Sequence, residues 1–177
     1  MKIQDILGID FLLLLASISL TIFGVLFIYS SGITSGGVSI STEYVRQIVW
    51  GVGGLIFAMI LSMINYRRFK NPSLYLYMGT LILLVYTYKF GREVNGAKAW
   101  IGIGGFGIQV SEFAKITTIL FLARYLDNSK RKVASFLRFL ISCIIVFVPM
   151  VLILIQPDFG TSLVFIPILL VMTFIAG

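Results

Sequence analysis

An all-α bundle set in a lipid bilayer is the fold class this sequence predicts, on three observations. Hydrophobic residues fill 59% of its 177 positions, charged residues only 12%, and the mean hydropathy is +1.03; soluble domains hold about 45 to 50% apolar residues. The apolar residues come in long runs rather than alternating with polar ones. The basic residues fall in short clusters between those runs, so membrane topology accounts for the net charge of +7 and no nucleic-acid partner is expected.

A spanning helix needs about 20 largely apolar residues, and six windows qualify: 10 to 30, 47 to 64, 73 to 90, 109 to 126, 137 to 155 and 159 to 176. The first follows Lys2, Asp5 and Asp10, and its apolar stretch from Phe11 to Ile28 is too long for a signal-peptide core. The third is short and carries Tyr75, Tyr77, Tyr86 and Tyr88, the residues of interfacial aromatic belts. The fourth opens with Ser111, Glu112 and Lys115, so its first turns must face away from lipid. The sixth stops with the chain at Gly177 without a polar flank, which suggests a fragment. No internal repeat, low-complexity tract or long linker divides residues 1 to 177, and a single transmembrane domain is expected.

Orientation follows from charge. The connections at 65 to 72 and 127 to 138 carry Arg67, Arg68, Lys70, Lys130, Arg131, Lys132 and Arg138. The alternate connections hold Arg46, Lys89, Arg92 and Lys98. With Lys2 on the richer side, the N-terminus is placed in the cytoplasm and the loops at 31 to 46, 89 to 108 and 156 to 158 face outward.

There is no His and a single Cys, which excludes His/Cys zinc sites and an intrachain disulfide. Cys143 lies in an apolar run and reads as a small buried hydrophobe. Any metal would be a hard cation on oxygen ligands, drawn from only seven carboxylates.

Four ionisable residues fall in or beside the spans: Glu112, Lys115, Arg124 and Asp158. Each costs a few kcal/mol near the midplane, so such groups face a bundle interior or a wet cavity. Glu112 and Lys115 share a helical face and can pair, either locking two helices together or serving a substrate cavity. Arg124 and Asp127 read as interfacial anchors at the cytoplasmic end. In GREVNGAKAWIGIGGFGIQVSEFAK, the glycine run has no βαβ context for a phosphate cradle and reads as a turn on the membrane surface. Trp100 within it is either an interfacial anchor or a platform for a sugar. In QPDFGT, Pro157 and Gly160 let the chain reverse, and Asp158 either caps the next helix or presents a carboxylate to an external cavity.

Two of these stretches, NGAKAWIGIGGFGIQVSEFAK and QPDFGTS, resemble in sequence and order the signature segments of the SEDS family (shape, elongation, division, sporulation), the RodA/FtsW-like cell-wall polymerases. IYSSG after the first span, Arg46 and Gln47 before the second, and the spacing from Trp100 to Glu112 to Asp158 extend the resemblance over essentially the whole chain. Ala99 stands where the family usually has a basic residue, removing a contact to an anionic substrate, and Val110 where it has Pro.

The resemblance implies the first six of about ten helices of a peptidoglycan glycosyltransferase in the bacterial cytoplasmic membrane, serving cell elongation or division. Its implied substrate is lipid II, an undecaprenyl-pyrophosphate disaccharide peptide. One sugar hydroxyl attacks the anomeric carbon of another, and undecaprenyl pyrophosphate leaves with inversion. A divalent cation, Mg or Mn, suits the departing pyrophosphate. The implied partners are a class B penicillin-binding protein and membrane lipids. The family's catalytic Asp is expected beyond Gly177, so no catalytic residue is assigned and the chain alone is expected to be inactive. Trp100, Glu112, Lys115, Gln156 and Asp158, with Arg46, are expected to line or support an external cavity. The alternatives are a lipid II flippase and a scaffold recruiting a penicillin-binding protein.

Overall fold

The computed structural model describes residues 10–32, 42–94, 96–103, 106–128 and 136–176. Lys2 and Asp5, the middle of the first outward loop, Gly104 and Gly105 of the glycine run, and Lys130, Arg131 and Lys132 lie outside the described residues. The chain divides into two compact units, Met1–Asn65 and Tyr66–Gly177.

The first unit is a helix pair, α1 (Phe11–Ser31) and α2 (Glu43–Ser62). Asp10 starts α1 by accepting the Leu12 and Leu13 amides at 2.9 and 3.3 Å, which satisfies two donors that the first turn leaves unpaired. The two helices pack against each other where Thr21 meets Gly51. Tyr29 stands edge-on to Tyr44, with ring centroids 5.2 Å apart. α2 begins four residues earlier than the 47 expected, because Glu43 in the first turn complements the helix dipole.

The second unit opens with a 3-10 turn, Tyr66–Phe69, and continues with α3 (Ser73–Phe90), β1 (Arg92–Val94), β2 (Ala97–Ile103) and β3 (Phe106–Gln109). Four helices complete it: α4 (Val110–Asn128), α5 (Phe136–Ile155), α6 (Phe159–Leu163) and α7 (Phe165–Ala176). The expected sixth segment is thus two helices broken at Val164. Among the described residues four helical segments are long and apolar enough to cross a membrane: α1, α2, α5, and α6 with α7 counted together.

α3 and α4 are not in that set, because tyrosine, hydroxyl-bearing and ionisable residues make them less apolar, and part of that polarity is buried. The buried residues of α3 are Ser73, Tyr77, Thr80, Leu84 and Thr87, one stripe at helical spacing. Those of α4 include Ser111, Ala114, Thr117 and Thr118. The two helices pack on each other, and the small and hydroxyl-bearing residues on their buried faces keep polar atoms out of lipid. The core continues through Leu122, Val146, Ile153 and Phe165, all fully buried or nearly so, and Cys143 packs against it.

The all-α expectation needs one correction. Residues 92–109, read as a surface turn, contain a three-stranded antiparallel sheet in the order β1-β2-β3. Alternation within AKAWIGI supports it: Ala99 is fully buried and Ile101 packs on the core, while Trp100 points to the other face. Many glycines masked that period. The burial of Ala99 also places it in the interior of the unit, so the absence of a basic side chain there is a matter of fit on the core face of the strand.

Gly91 joins α3 to the sheet. A Cβ there would collide with the Thr87 carbonyl oxygen and lie 2.9 Å from that of Lys98, both backbone. Gly91→Ala is therefore expected to destabilise the second unit by about 3 kcal/mol, the upper end for overpacking. Thermal unfolding of the purified chain in detergent measures it; an unchanged midpoint refutes the close approach.

Arg138 also departs from expectation. Counted among the loop cations, it lies inside α5, 5% exposed, and donates from Nη2 to the Leu126 carbonyl at the C-terminal end of α4. A cation there meets the negative end of the helix dipole, which makes its burial tolerable.

Candidate functional site

The sheet and the turn between α5 and α6 meet at one end of the second unit. Cross-strand register puts Arg92 opposite Trp100, and Trp100 opposite Gln109. Directly paired residues of an antiparallel sheet share a face, so a cation, an indole and an amide form one row. The indole leans diagonally over Gly107, where a Cβ would stand 3.0 Å from Trp100 Cε3. Trp100 thus has a built seat on the sheet, its ring held against the backbone of β3 and half-buried.

Gln109 ends the row and reaches across the fold, donating from Nε2 to Asp158 Oδ2 at 2.8 Å. The other carboxylate oxygen, Oδ1, accepts the Thr161 amide at 3.1 Å and caps α6. Of the two readings of Asp158, the cap is what these bonds show, and the same side chain is also tied to the aromatic sheet. An ionised carboxylate has about four acceptor sites, and these two bonds leave some free.

Gln156, two residues earlier, is 1% exposed and donates from Nε2 to the Leu84 carbonyl at 2.8 Å, fastening the turn to α3. It supports the site from within rather than lining it. Its Oε1 and the hydroxyl of Ser111 are buried without a hydrogen-bond partner.

α4 starts directly after Gln109, with Val110 as its first residue. Pro is favoured but not required at that position, so Val serves. One turn on, Lys115 Nζ and Glu112 Oε1 pair at 2.7 Å as their spacing predicted. The Glu112 side chain is 55% exposed and that of Lys115 21%, so the lysine is the inner partner.

Of the six residues expected at the site, Trp100, Glu112, Lys115, Gln156 and Asp158 belong to this second unit. Arg46 belongs to the first, where it pairs with Glu43 at 2.9 Å in solvent-exposed geometry. Gln109 was missed by sequence reasoning. Its signal was available: it shares parity with Gly107 in an alternating segment and immediately precedes the segment that carries the Ser-Glu pair.

A divalent cation finds no ready ligand set here. Among the described residues no three His, Cys, Asp or Glu side chains cluster. Glu112 is engaged by an ammonium.

Comparison with known proteins agrees with this architecture. The family model FTSW_RODA_SPOVE, described as "Cell cycle protein", matches residues 10–177. The peptidoglycan glycosyltransferase RodA of Treponema pallidum (strain Nichols) is 52% identical over 177 residues, covering 100% of this chain and 41% of the relative. The crystal structure of the Thermus thermophilus rod shape determining protein RodA superposes with a TM-score of 0.81 at 28% identity, covering 95% of this chain and 54% of the other. A structure described as "Structural coordination of polymerization and crosslinking by a peptidoglycan synthase complex" gives the same TM-score, 0.81, with 48% of that chain covered. The chain thus spans about half the length of the relatives it matches. A match over residues 10–177, which include the sheet, the turn and the ion pair that build the site, places the chain in the FTSW_RODA_SPOVE family.

Proposed function

We propose that this chain is the N-terminal, substrate-positioning part of a peptidoglycan glycosyltransferase that polymerises lipid II. The observation that carries the reading is the Gln109 to Asp158 bond. It joins the sheet that holds Trp100 to the turn that Gln156 anchors, so that an aromatic platform and a carboxylate with spare acceptor sites act as one rigid element. An aromatic face suits the apolar face of a sugar ring, and a carboxylate accepts from sugar hydroxyls. Such groups hold an acceptor saccharide against a donor, and orientation alone can remove a large part of the barrier to a bimolecular transfer. Arg92, in the same row, suits an anionic substituent.

The reading includes six membrane-crossing segments in the bacterial cytoplasmic membrane, with the N-terminus in the cytoplasm and the site outside. The basic clusters at the opposite ends of the helices support that orientation. The RodA relative's name supports the reaction, and the synthase complex, described by polymerization and crosslinking, supports a crosslinking partner, for which a class B penicillin-binding protein is the proposal.

The test is extension of fluorescent lipid II by the purified full-length protein without added transpeptidase. Glycan ladders are expected; transbilayer movement of lipid II without polymer would replace this reading with the flippase. Within the same assay, Lys115→Ala is expected to cut polymer yield about tenfold. An exposed i,i+3 pair contributes only about 0.5 kcal/mol to folding, so its thermal midpoint should barely move. Normal yield would reduce the Glu112–Lys115 pair to a helix-surface contact.

A further inference from the structure

At the far end of α4, some 14 residues or about 21 Å along the helix from Val110, lies a pocket of about 570 Å³. Arg67, Lys70 and Arg124 line it together with one carboxylate, Asp127, and with the apolar side chains of Phe69 and Leu120. Two of its cations are held in position by contacts across the pocket. Lys70 Nζ meets Asp127 Oδ2 at 2.6 Å, and Arg124 Nη1 donates to the Asn71 carbonyl at 2.9 Å, so the segment that follows the 3-10 turn is tied to α4 by two contacts. Three cations face one carboxylate. The C-terminal carbonyls of α4 add roughly half a negative charge, which still leaves the pocket positive by more than one unit.

The geometry points to a binding site for the headgroup phosphate of an anionic phospholipid. A phosphodiester among Arg67, Lys70 and Arg124 finds bidentate guanidinium donors and an ammonium. An acyl chain attached to it meets Phe69 and Leu120. Basic pockets between membrane helices take such headgroups. Inorganic phosphate satisfies the same cations but leaves the apolar wall unused, and an acidic peptide would have no use for it either. The site lies at the opposite end of the helices from Asp158, so it stands independently of the glycosyl-transfer reading.

Native mass spectrometry of the purified chain, titrated with phosphatidylglycerol and phosphatidylcholine of matched acyl length, tests the proposal. The wild type is expected to retain phosphatidylglycerol about tenfold more strongly, and Arg67→Gln to lose about fivefold of that preference, as one cation near a phosphate implies. Arg67→Gln/Arg124→Gln should abolish it. Because Arg124 also holds Asn71, the single Arg67 variant keeps the test valid if the double variant unfolds. Lys89→Gln, at the other end of α3, should leave the preference intact. Equal retention of both lipids by the wild type, or full preference in Arg67→Gln, overturns the site. Displacement of phosphatidylglycerol by equimolar inorganic phosphate or by a Glu-rich decapeptide would show an anion or peptide site instead, and overturns it equally.

Discussion

Asp158→Asn and Asp158→Ala are expected to differ in stability, with the asparagine variant folding like the wild type and losing activity all the same. Asparagine caps a helix as well as aspartate does, so the Thr161 amide keeps its acceptor. The Gln109 amide can turn over and accept from the new side chain, preserving the bond that joins sheet to turn. Stability should therefore change by less than about 0.5 kcal/mol, the range of a substitution that keeps its partners. Alanine removes the cap, at about 1 kcal/mol, and strands the Gln109 donor in a half-buried position, at a further cost of about 1 to 3 kcal/mol. The Asp158→Ala variant is expected to unfold at clearly lower temperature in detergent. Activity follows a different rule. A charge-assisted hydrogen bond is roughly twice as strong as a neutral one, and losing about 1.4 kcal/mol of positioning energy is a tenfold loss in rate. In the full-length protein, Asp158→Asn should fall at least tenfold in lipid II polymerisation at wild-type stability. Equal activity of aspartate and asparagine at this position would make the carboxylate a cap and nothing more.

How far the sequence revealed this arrangement depends on the type of signal. Helices were legible because lipid demands long apolar runs, and α1 and α5 start within one residue of the expected positions 10 and 137. Asp158 and the Glu112–Lys115 pair were legible because a charge in an oily chain requires a partner, and a spacing of three on a helix supplies one. The sheet was not, because the glycines that admit the Trp100 ring over Gly107 look like loop residues until the partner strand is known. Gln109 and Gln156 were hard for a related reason. Their partners, Asp158 and the Leu84 carbonyl, lie 49 and 72 residues away, and no local period encodes contacts at that range. Gln156 was named for its neighbourhood in the motif, and its anchoring role emerged only from its burial.

The second large effect lies in the core. Pro149 sits inside α5, and having no N–H it leaves the carbonyl of Ile145, four residues earlier, without its helical donor. An unpaired carbonyl inside a membrane bundle costs several kcal/mol in hydrocarbon. Tyr77 of α3 supplies the missing bond: its hydroxyl donates to the Ile145 oxygen at 2.9 Å, and its ring stacks on Phe121 of α4 with centroids 4.9 Å apart. One side chain thus joins three helices at the proline. Tyr77→Phe keeps the stack and deletes the donor, and is expected to destabilise by about 1 to 3 kcal/mol. The diagnostic variant is Tyr77→Phe/Pro149→Ala. The Pro149→Ala change restores an N–H for the Ile145 carbonyl, so the double variant should recover most of the stability that Tyr77→Phe alone loses. A coupling energy of at least about 1 kcal/mol is expected from the cycle, within the range for groups sharing one partner. Additive losses, measured by denaturation of all four proteins in the same detergent, would mean that the hydroxyl and the proline act independently and that the ring alone holds the three helices together.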